Sequence, residues 1–488
     1  MNLFRSKPKP QPPPKVPSDE HFFSRFDDVL DPEKLRKALE RLLQIGGWRK
    51  LGARLRLNNA GRLEYHVPAE YTAERPPFSC TRVNTGISIE EHYIARRIPR
   101  NSSGSQKPVL FEDAAHFSDL IYSPDTPTKL EDWLYTDKPP LSLHIVTFTD
   151  ATVVGLSWSH TLLDAMGRHL LQCAWTAVLE GREQDVPAFQ GYYEDPITPV
   201  VDQTSPEQHV LYDHLLSGFG FFVFVMYMIL EFVWWPKQSS RIILLPGPYV
   251  QDLRQQALQD LHANKEENND REPFVSEGDI IFAWLAQKTI QALRPSPTTP
   301  VNLTLILNLR GSASPVFPSP EEEAYIGNAA LASITLTTAG GLLHDERLSR
   351  TAEEIRRDLE LQRTPQNLQA FLSLHHRELM LSLSNWHRGR FFEQDFSAAA
   401  AAAAAATAGV TKGGDSDGCS GRPLETTTKR AEEIGRPSFV GVTGHENGFQ
   451  VRNAGPCLGR DAKGDWWVSW ALRDEAWGAF ERALRDES

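Results

Sequence analysis

The sequence predicts an α/β fold with two domains, and three observations support this class. The chain has 488 residues, which is too long for one ordinary hydrophobic core and suggests two domains of roughly 200 residues each. Hydrophobic residues make up 40% of the chain and charged residues 23%, as in ordinary globular proteins. Strand-like stretches repeatedly run into helical ones, which is typical of layered α/β domains.

The charge and the cysteine content exclude several classes of protein. The formal net charge is −12, and no basic stripe opposes it, so we expect no nucleic-acid partner. The four cysteines are scattered and have no Cys/His partners at metal-ligand spacing. We therefore expect no disulfide framework, no metal, and a reducing, cytoplasmic location.

The first predicted elements follow a proline-rich start. Residues 1–19 lack the apolar stretch of a signal peptide, so we expect a disordered leader there. The folded part is expected to begin near Asp31, which would cap a helix that starts at Pro32 and ends at Gly46-Gly47. A hairpin with its turn near residue 60 follows.

The segment LSWSHTLLDAMGRHLL, residues 156–171, raises a functional question. A strand predicted over 152–159 ends beside His160, and a helix with a long apolar face follows. Asp164 lies in the first turn of that helix, where the positive end of the helix dipole favours a carboxylate. The spacing alone favours a satisfied core histidine. At such a corner, however, an imidazole can also project between two layers and act as a base. Two ligands without a third do not support a metal site.

The segment 217–236, SGFGFFVFVMYMILEFVWWP, is almost entirely apolar. Its length is close to the ~20 residues needed to span a bilayer. We favour a buried inter-domain helix, ahead of a helix docked on a membrane surface and a transmembrane span. Glu231 and the α/β patterns on both sides argue against a span, whereas two terminal tryptophans would suit a membrane interface.

The second half of the chain resumes the α/β pattern. Residues 241–247 predict a strand, and Ser276 with Asp279 forms a capping-box pair at the start of a helix. A buried strand is predicted to end at Arg310, and a further strand region covers 325–339.

The remaining segments include a break in this order. An amphipathic helix is predicted over 345–362, a strand over 437–443, and a strand with a closing helix over 464–484. Between them, residues 397–436 begin with an alanine run and continue as polar loop sequence. We interpret this stretch as a low-complexity surface insertion whose polar part stays disordered.

The segment SWSHTLLDAMG resembles the HxxxD signature of the BAHD-type acyl-CoA-dependent acyltransferases, with the trichothecene O-acetyltransferase-like branch most similar. Four further segments agree in order with this family over residues 30 to 480: FVSEGDIIFAWLAQKTI, NLTLILNLRG, YIGNAA and SNWHRGRFFEQDFSAAA. The last segment departs from the family motif Asp-Phe-Gly-Trp-Gly, because only Asp395 and Phe396 match. The resemblance implies that this departure affects the affinity for the coenzyme more than it affects the chemical step.

The resemblance implies two chloramphenicol-acetyltransferase-like domains, each with a mixed sheet flanked by helices, and a channel between them. It places an N-terminal domain at 20–210, an apolar crossover at 211–240 and a C-terminal domain at 241–488. Acyl-CoA, most simply acetyl-CoA, would enter this channel as co-substrate, and a small alcohol or amine of specialised metabolism would be the acceptor.

The resemblance also implies roles for single residues. His160 would be the general base that deprotonates the acceptor, and Asp164 would pair with Arg310 to support this corner. Asp395 would be a further structural support. The candidates for coenzyme contact are Ser276, Asn385 and Trp386. The competing interpretation is helix capping for Ser276 and core packing for Trp386.

Three alternatives remain at this level. The enzyme could acylate an amine, or it could take its acyl group from a carrier protein, as condensation domains do. Those domains have paired histidines, and Ser159 stands at the place of the first. A non-catalytic, membrane-associated family member is the third alternative, motivated by the departure after Phe396 and by the apolar segment 217–236. In all cases we expect a monomer, with weak membrane association possible through that segment.

Overall fold

Two large mixed β-sheets with helices packed on them form the framework of the protein. The computed structural model describes residues 19–100, 105–193, 196, 206–214, 218–265, 272–310, 317, 323–343, 348–372, 380–400, 433–444 and 452–485. The strands are β1 Glu20–Phe26, β2 Arg54–Leu57, β3 Leu63–His66, β4 Ser79–Asn84, β5 Val109–Phe111, β6 Leu141–Thr147, β7 Thr152–Trp158, β8 Ala188–Gln190, β9 Gln238–Leu245, β10 Pro300–Asn308, β11 Glu323–Tyr325, β12 Ala330–Thr338, β13 Met380–Asn385, β14 Phe439–Thr443, β15 Ala454–Arg460 and β16 Trp466–Arg473.

The α-helices alternate with these strands along much of the chain. They are α1 Pro32–Leu42, α2 Ser118–Ile121, α3 Leu130–Leu134, α4 Ala165–Leu179, α5 Gly218–Trp234, α6 Gly247–Ala263, α7 Glu277–Leu293, α8 Ala339–Leu342, α9 Leu348–Gln362, α10 Pro365–Leu372 and α11 Asp474–Arg485. The predicted strand-to-helix corner between β7 and α4 and the capping box at the start of α7 are both confirmed.

The two sheets differ in size, and each receives one strand from the other end of the chain. The five-stranded sheet has the order β14-β1-β7-β6-β4, and the seven-stranded sheet has the order β12-β10-β13-β15-β16-β9-β5. Strand β14 therefore joins strands from the first 158 residues, while β5 joins strands of the C-terminal part. Each sheet thus contains one strand from the other half of the chain, and these two exchanged strands connect the sheets.

Each sheet has its own large apolar core. The core of the five-stranded sheet includes Leu35 and Leu39 of α1 and Trp175 of α4. The core of the seven-stranded sheet includes Trp284 of α7 and Phe480 of α11. Burial of aromatic side chains of this size contributes ~1.5–3 kcal/mol each, which makes the two cores the main stabilising features.

The start of the folded part was predicted wrongly. Strand β1 begins at Glu20, before the expected start near Asp31, and all its later residues are buried. It pairs on both sides, with β14 and β7. Polar and charged residues interrupt its phenylalanines, which hides the strand pattern. Residues 1–18 of the expected leader lie outside the described residues, and Asp19 is buried.

The interpretation of residues 217–236 as a buried inter-domain helix is also wrong. Helix α5 occupies this segment, and these of its apolar side chains are exposed: Phe219, Phe222, Val223, Met226, Tyr227, Ile229, Leu230, Val233 and Trp234. Its carboxylate, Glu231, turns towards the protein, 3.5 Å from Arg473 and 3.7 Å from Arg452. Across the described residues, every helix falls short of the length and apolar character needed to cross a membrane.

The alanine-rich insertion does not begin at the surface as expected. Ala399 is fully buried, and its carbonyl oxygen accepts a hydrogen bond of 2.7 Å from the backbone of Asp31. Residues 401–432 lie outside the described residues. On either side of them, the amide of Phe396 donates to the carbonyl of Gly435 at 2.9 Å, so the two ends of the insertion lie side by side.

Candidate active site

The corner that carries His160 is held by a set of local hydrogen bonds. The amide of Leu162 donates to the carbonyl of Ser159, and the indole of Trp158 donates to the carbonyl of Leu163. From outside the corner, the side-chain amide of Asn328 donates to the carbonyl of His160 at 2.9 Å. These bonds fix the backbone between β7 and α4 and leave the imidazole, which is 36% exposed, pointing away from the core.

Asp164 ties this corner to the second sheet. It is the N-cap of α4, and its Oδ1 accepts from the amide of Gly167 at 2.7 Å. It also forms an ion pair with Arg310, at 3.0 Å between Oδ1 and Nη2, and its Oδ2 accepts from the amide of Ala329 at 2.9 Å. Both charged side chains are almost fully buried. Arg310 donates further hydrogen bonds to backbone carbonyls, including that of Tyr325, so the desolvated charge is well compensated.

His160 lines a cavity of about 630 Å³ between the two sheets. Glu20 of β1 and Met166 of α4 line one side, whereas Asn308 of β10 and Ser384 of β13 line the other. The cavity volume is within the range of small-molecule sites. An imidazole that opens into such a space can reach a bound molecule, so His160 is not a core histidine.

A second cavity of about 330 Å³ adjoins the first. Met166, Asn308 and Asn385 line both cavities, so the two spaces meet at these side chains. The second cavity is bordered by basic side chains of α9 and of the segments after α9 and β13: Arg356, Arg363 and Arg388. Burial lowers the pKa of the nearby His387 below its usual value, so the positive charge at neutral pH comes from the arginines.

The three candidates for coenzyme contact lie at these cavities. Ser276 borders the second one, caps α7 and accepts a hydrogen bond of 2.6 Å from Arg356. Asn385 lies where the two cavities meet. Trp386 lines the first cavity but is only 9% exposed, and its indole donates to Ser384 at 2.7 Å, so core packing accounts for most of its surface.

Asp395 lies apart from both cavities. Its carboxylate accepts from the amide of Ser397 at 2.8 Å and so starts a short turn. Its neighbour Phe396 packs edge-on against Phe26 and Trp175 of the first core. Asp395 and Phe396 therefore lie at the core of the five-stranded sheet. They fix the start of the insertion and do not line the cavity.

Two groups were missed by the sequence analysis, because each includes a residue of the overlooked first strand. The Glu20 carboxylate oxygen Oε1 lies 3.5 Å from Nε2 of His160. Burial raises the pKa of Glu20, and the positive charges of His160 and Arg168 oppose that shift. The three phenylalanines of β1 were the available signal for this strand.

The second missed group is a buried hydrogen-bonded network. Nδ1 of His21 lies 2.7 Å from the hydroxyl of Ser157, and Nε2 lies 2.7 Å from the carboxylate of Asp19. The order resembles a Ser-His-Asp arrangement. However, Ser157 is only 3% exposed and does not border the cavity of His160, so its hydroxyl links β1 to β7 structurally.

Within the described part of the chain, no three His, Cys, Asp or Glu side chains lie close enough to hold a metal ion together. The polar groups of the two cavities include the imidazoles of His160 and His387, carboxylates, arginines, hydroxyls and amides. Such a set can move a proton and bind anionic and polar molecules.

Comparison with known proteins identifies close relatives, although no family model matches the chain. Acetyltransferase adrJ of Penicillium rubens is 35% identical over 518 aligned positions that cover 99% of each chain. O-acyltransferase pboC of Aspergillus ustus is 34% identical over 94% of each chain. A relative from Penicillium decumbens, calD, is 35% identical over 100% of this chain and 99% of its own, and is named a transcriptional regulator.

Solved structures have the same fold. The trichothecene acetyltransferase TRI101 of F. sporotrichioides, complexed with coenzyme A and T-2, superimposes with a TM-score of 0.61 and 15% identity, over 96% of this chain and 94% of its own. Vinorine synthase gives a TM-score of 0.57 at 15% identity, over 96% and 90%. The architecture is therefore the two-domain chloramphenicol-acetyltransferase-like fold. With relatives of this identity over its full length, the chain belongs to the BAHD-type family of acyl-CoA-dependent acyltransferases, in the trichothecene O-acetyltransferase-like branch.

Proposed function

We propose that the protein transfers an acetyl group from acetyl-CoA to a hydroxyl of a small specialised metabolite, with His160 as general base. The single observation that carries this proposal is the position of His160 in a cavity between the two sheets. The names of the relatives adrJ and pboC, an acetyltransferase and an O-acyltransferase, support the group transferred and the hydroxyl acceptor.

The proposed reaction needs one base and no covalent intermediate with the enzyme. Nε2 of His160 removes the proton of the acceptor hydroxyl, and the acceptor oxygen forms a bond to the thioester carbonyl carbon. The carbon–sulfur bond then breaks, and the proton passes from His160 to the sulfur, which leaves as coenzyme A. Imidazole suits both steps because its usual titration range lies near neutral pH.

The second cavity is the proposed place of the coenzyme. Coenzyme A carries several phosphate charges, and arginine recognises phosphate through paired N–H groups. Arg363 and Arg388 are exposed at the border of this cavity. The junction at Asn385 would bring the thioester end towards His160, while Ser276 lies further along the same cavity.

The test is turnover of the thioester by the purified protein. Acetyl-CoA is mixed with a panel of small alcohols and amines, and free thiol is measured for the wild type and for His160→Ala. We expect acceptor-dependent release that falls by about 10²–10⁴-fold in the variant, the usual contribution of a general base. The control is His66→Ala, because this exposed histidine of β3 lies outside both cavities.

Different results would redirect the proposal. Release that is unchanged in His160→Ala would contradict the role of this base. Release with amines alone would replace the hydroxyl acceptor by an amine. If wild-type protein neither releases thiol nor gains thermal stability from coenzyme A, the chain has lost the activity of its family.

We also propose that the monomer rests on a lipid surface through α5. The exposed face of this helix consists of apolar side chains, including Phe219, Phe222 and Trp234. Its charged residue, Glu231, is turned to two arginines, and the exposed Lys237 follows its end. An apolar face with terminal tryptophan and lysine is suited to the headgroup boundary of an anionic membrane.

Co-sedimentation with phosphatidylcholine–phosphatidylserine vesicles tests this second proposal. We expect wild-type protein to sediment with the vesicles and the double variant Phe219→Ser, Phe222→Ser to remain in solution. The matched control is Val83→Ser, which changes an exposed apolar residue of β4. Wild-type protein that ignores vesicles, or that forms dimers through α5 in sedimentation analysis, would overturn it.

A further inference from the structure

The position of Glu20 follows from the register of β1 beside β7. Glu20 lies opposite Trp158, the last residue of β7. The chain then leaves the sheet and turns into the corner that carries His160. A side chain at the first position of β1 is therefore placed next to the imidazole by sheet pairing alone, from a part of the chain about 140 residues away.

The geometry between the two side chains is specific. Oε1 of Glu20 lies 3.5 Å from Nε2 of His160, and both side chains border the same cavity. The Glu20 side chain is 16% exposed. Its other oxygen, Oε2, is buried and has no hydrogen-bond partner among the described residues. A buried carboxylate oxygen of this kind is costly unless a charge or a donor compensates it.

The charged groups around Glu20 define what could compensate it. Burial raises the pKa of Glu20, a protonated His160 and the buried Arg168 favour its ionised form, and Asp164 and Asp19 oppose it. Asp164 cannot serve His160 in the same way, because its two oxygens are occupied by Arg310 and by backbone amides. Glu20 is thus the carboxylate that faces the reactive nitrogen.

We propose that Glu20 is a positioning residue for the transfer reaction, which acts through His160 because its carboxylate stabilises the imidazolium formed during the reaction. This inference rests on the proposed function. The proton moves from the acceptor hydroxyl to Nε2 and then to the thioester sulfur, and Glu20 takes up no proton in the cycle.

The distance of 3.5 Å has a physical meaning in this scheme. While His160 is neutral, its ring carries no charge for the carboxylate of Glu20 to attract. Once Nε2 has taken the proton of the acceptor, the ring is positively charged and the carboxylate 3.5 Å away attracts it, while the N–H stays available to the thioester sulfur. An interaction that strengthens only when charge develops lowers the barrier instead of merely tightening binding.

The kinetic experiment compares Glu20→Gln, Glu20→Asp and the wild type. Gln keeps the size of the side chain but removes its charge, so we expect kcat to fall by about 10- to 100-fold. KM for acetyl-CoA should stay constant. Glu20→Asp keeps the charge and should recover part of the loss. The control is Glu183→Gln, which removes a carboxylate from an exposed ion pair with Arg41.

A spectroscopic measurement keeps the inference testable without an acceptor. The His160 ring is titrated by NMR, with its signal assigned by its absence in His160→Ala. Because a carboxylate 3.5 Å from Nε2 favours the protonated ring, we expect the titration midpoint to move lower in Glu20→Gln than in the wild type. The acid limb of the pH profile of kcat/KM should move in the same direction.

The outcomes separate this inference from the proposed function. If His160→Ala is inactive while Glu20→Gln keeps the wild-type kcat and midpoint, His160 remains the base and the role of Glu20 is rejected. A loss of kcat without a shift of the midpoint would make Glu20 structural, which also rejects it. If Glu20→Gln loses as much activity as His160→Ala, with His160 titrating as before, Glu20 itself would be the base.

Discussion

Two aspartates at helix starts, Asp164 at α4 and Asp279 at α7, use the same chemistry in different surroundings. Each accepts hydrogen bonds at its own helix N-terminus, and each pairs with a buried or half-buried arginine. Asp164 pairs with Arg310 from the strand region of the second sheet. Asp279 pairs with Arg356 from α9, at 2.8 Å to Nε, so its contacts stay on one side of the cavities.

The two ion pairs differ in the distance between the parts of the structure that they connect. The Asp279 pair connects two helices that already share the core of the seven-stranded sheet. The Asp164 pair connects the corner of His160 to the segments around Arg310 and Ala329, which belong to the opposite wall of the cavity. An ion pair that spans two sheets helps to fix the shape of the space between them, whereas one within a single layer stabilises that layer.

The largest expected effect is that of Asp164→Ala. It leaves the buried charge of Arg310 without its partner, which typically costs ~3–5 kcal/mol of unfolding free energy. We expect kcat to fall as well, because the corner of His160 loses its fixed position. Urea denaturation and steady-state kinetics measure the two effects, and Asp164→Asn is the milder variant if the alanine variant does not fold.

The control for this experiment is Asp185→Ala, which removes an exposed partner of Arg182. Exposed ion pairs contribute little, so both measurements should stay close to the wild type. If Asp164→Ala behaved like this control, the proposed difference between the two aspartates would be wrong.

Arg356→Gln tests the other half of the comparison. Asp279 would lose a charged donor but keep its bonds to Ser276, so we expect a loss of about 1.5–3 kcal/mol in unfolding free energy. Because the second cavity is the proposed coenzyme site, KM for acetyl-CoA should rise while kcat stays constant. A fall in kcat with unchanged KM would place this arginine in the chemical step instead.

Gly167→Ala tests how closely the two layers approach each other. A Cβ at this position would lie 1.9 Å from the carbonyl oxygen of Ile326. The first turn of α4 would therefore have to move away from the segment that contains Ile326. We expect a loss of ~1–3 kcal/mol, measured by thermal and urea denaturation. Kinetics would show whether the distortion also reaches His160.

A second glycine in a helix provides the matched control for Gly167. Gly478 of α11 is exposed, and a Cβ there would meet only the guanidinium of Arg482 at 3.7 Å. Gly478→Ala should therefore stabilise the helix by up to about 1 kcal/mol. Equal effects of the two substitutions would show that the close approach at Gly167 does not constrain the fold.

The sequence predicted elements whose signals are local. The capping box of Ser276 and Asp279 and the periodic apolar face after His160 each lie within one helix or its first turn, and both elements are present. Strand β1 escaped prediction because it is stabilised by partners more than 100 residues away, and its own pattern is irregular. The exposure of α5 was missed because an apolar sequence favours a segment that is shielded from water but does not show which surface shields it.

By itself, the sequence determined the two-domain α/β class, the corner with His160 and Asp164, and the family of the chain, because these depend on short patterns and on ordered motifs. Only the tertiary structure decided that Glu20 faces His160, that apolar side chains of α5 are exposed, and that the start of the alanine run is buried. The physical reason is that side chains meet through sheet pairing and packing between distant segments, and no local pattern in the chain encodes those distances.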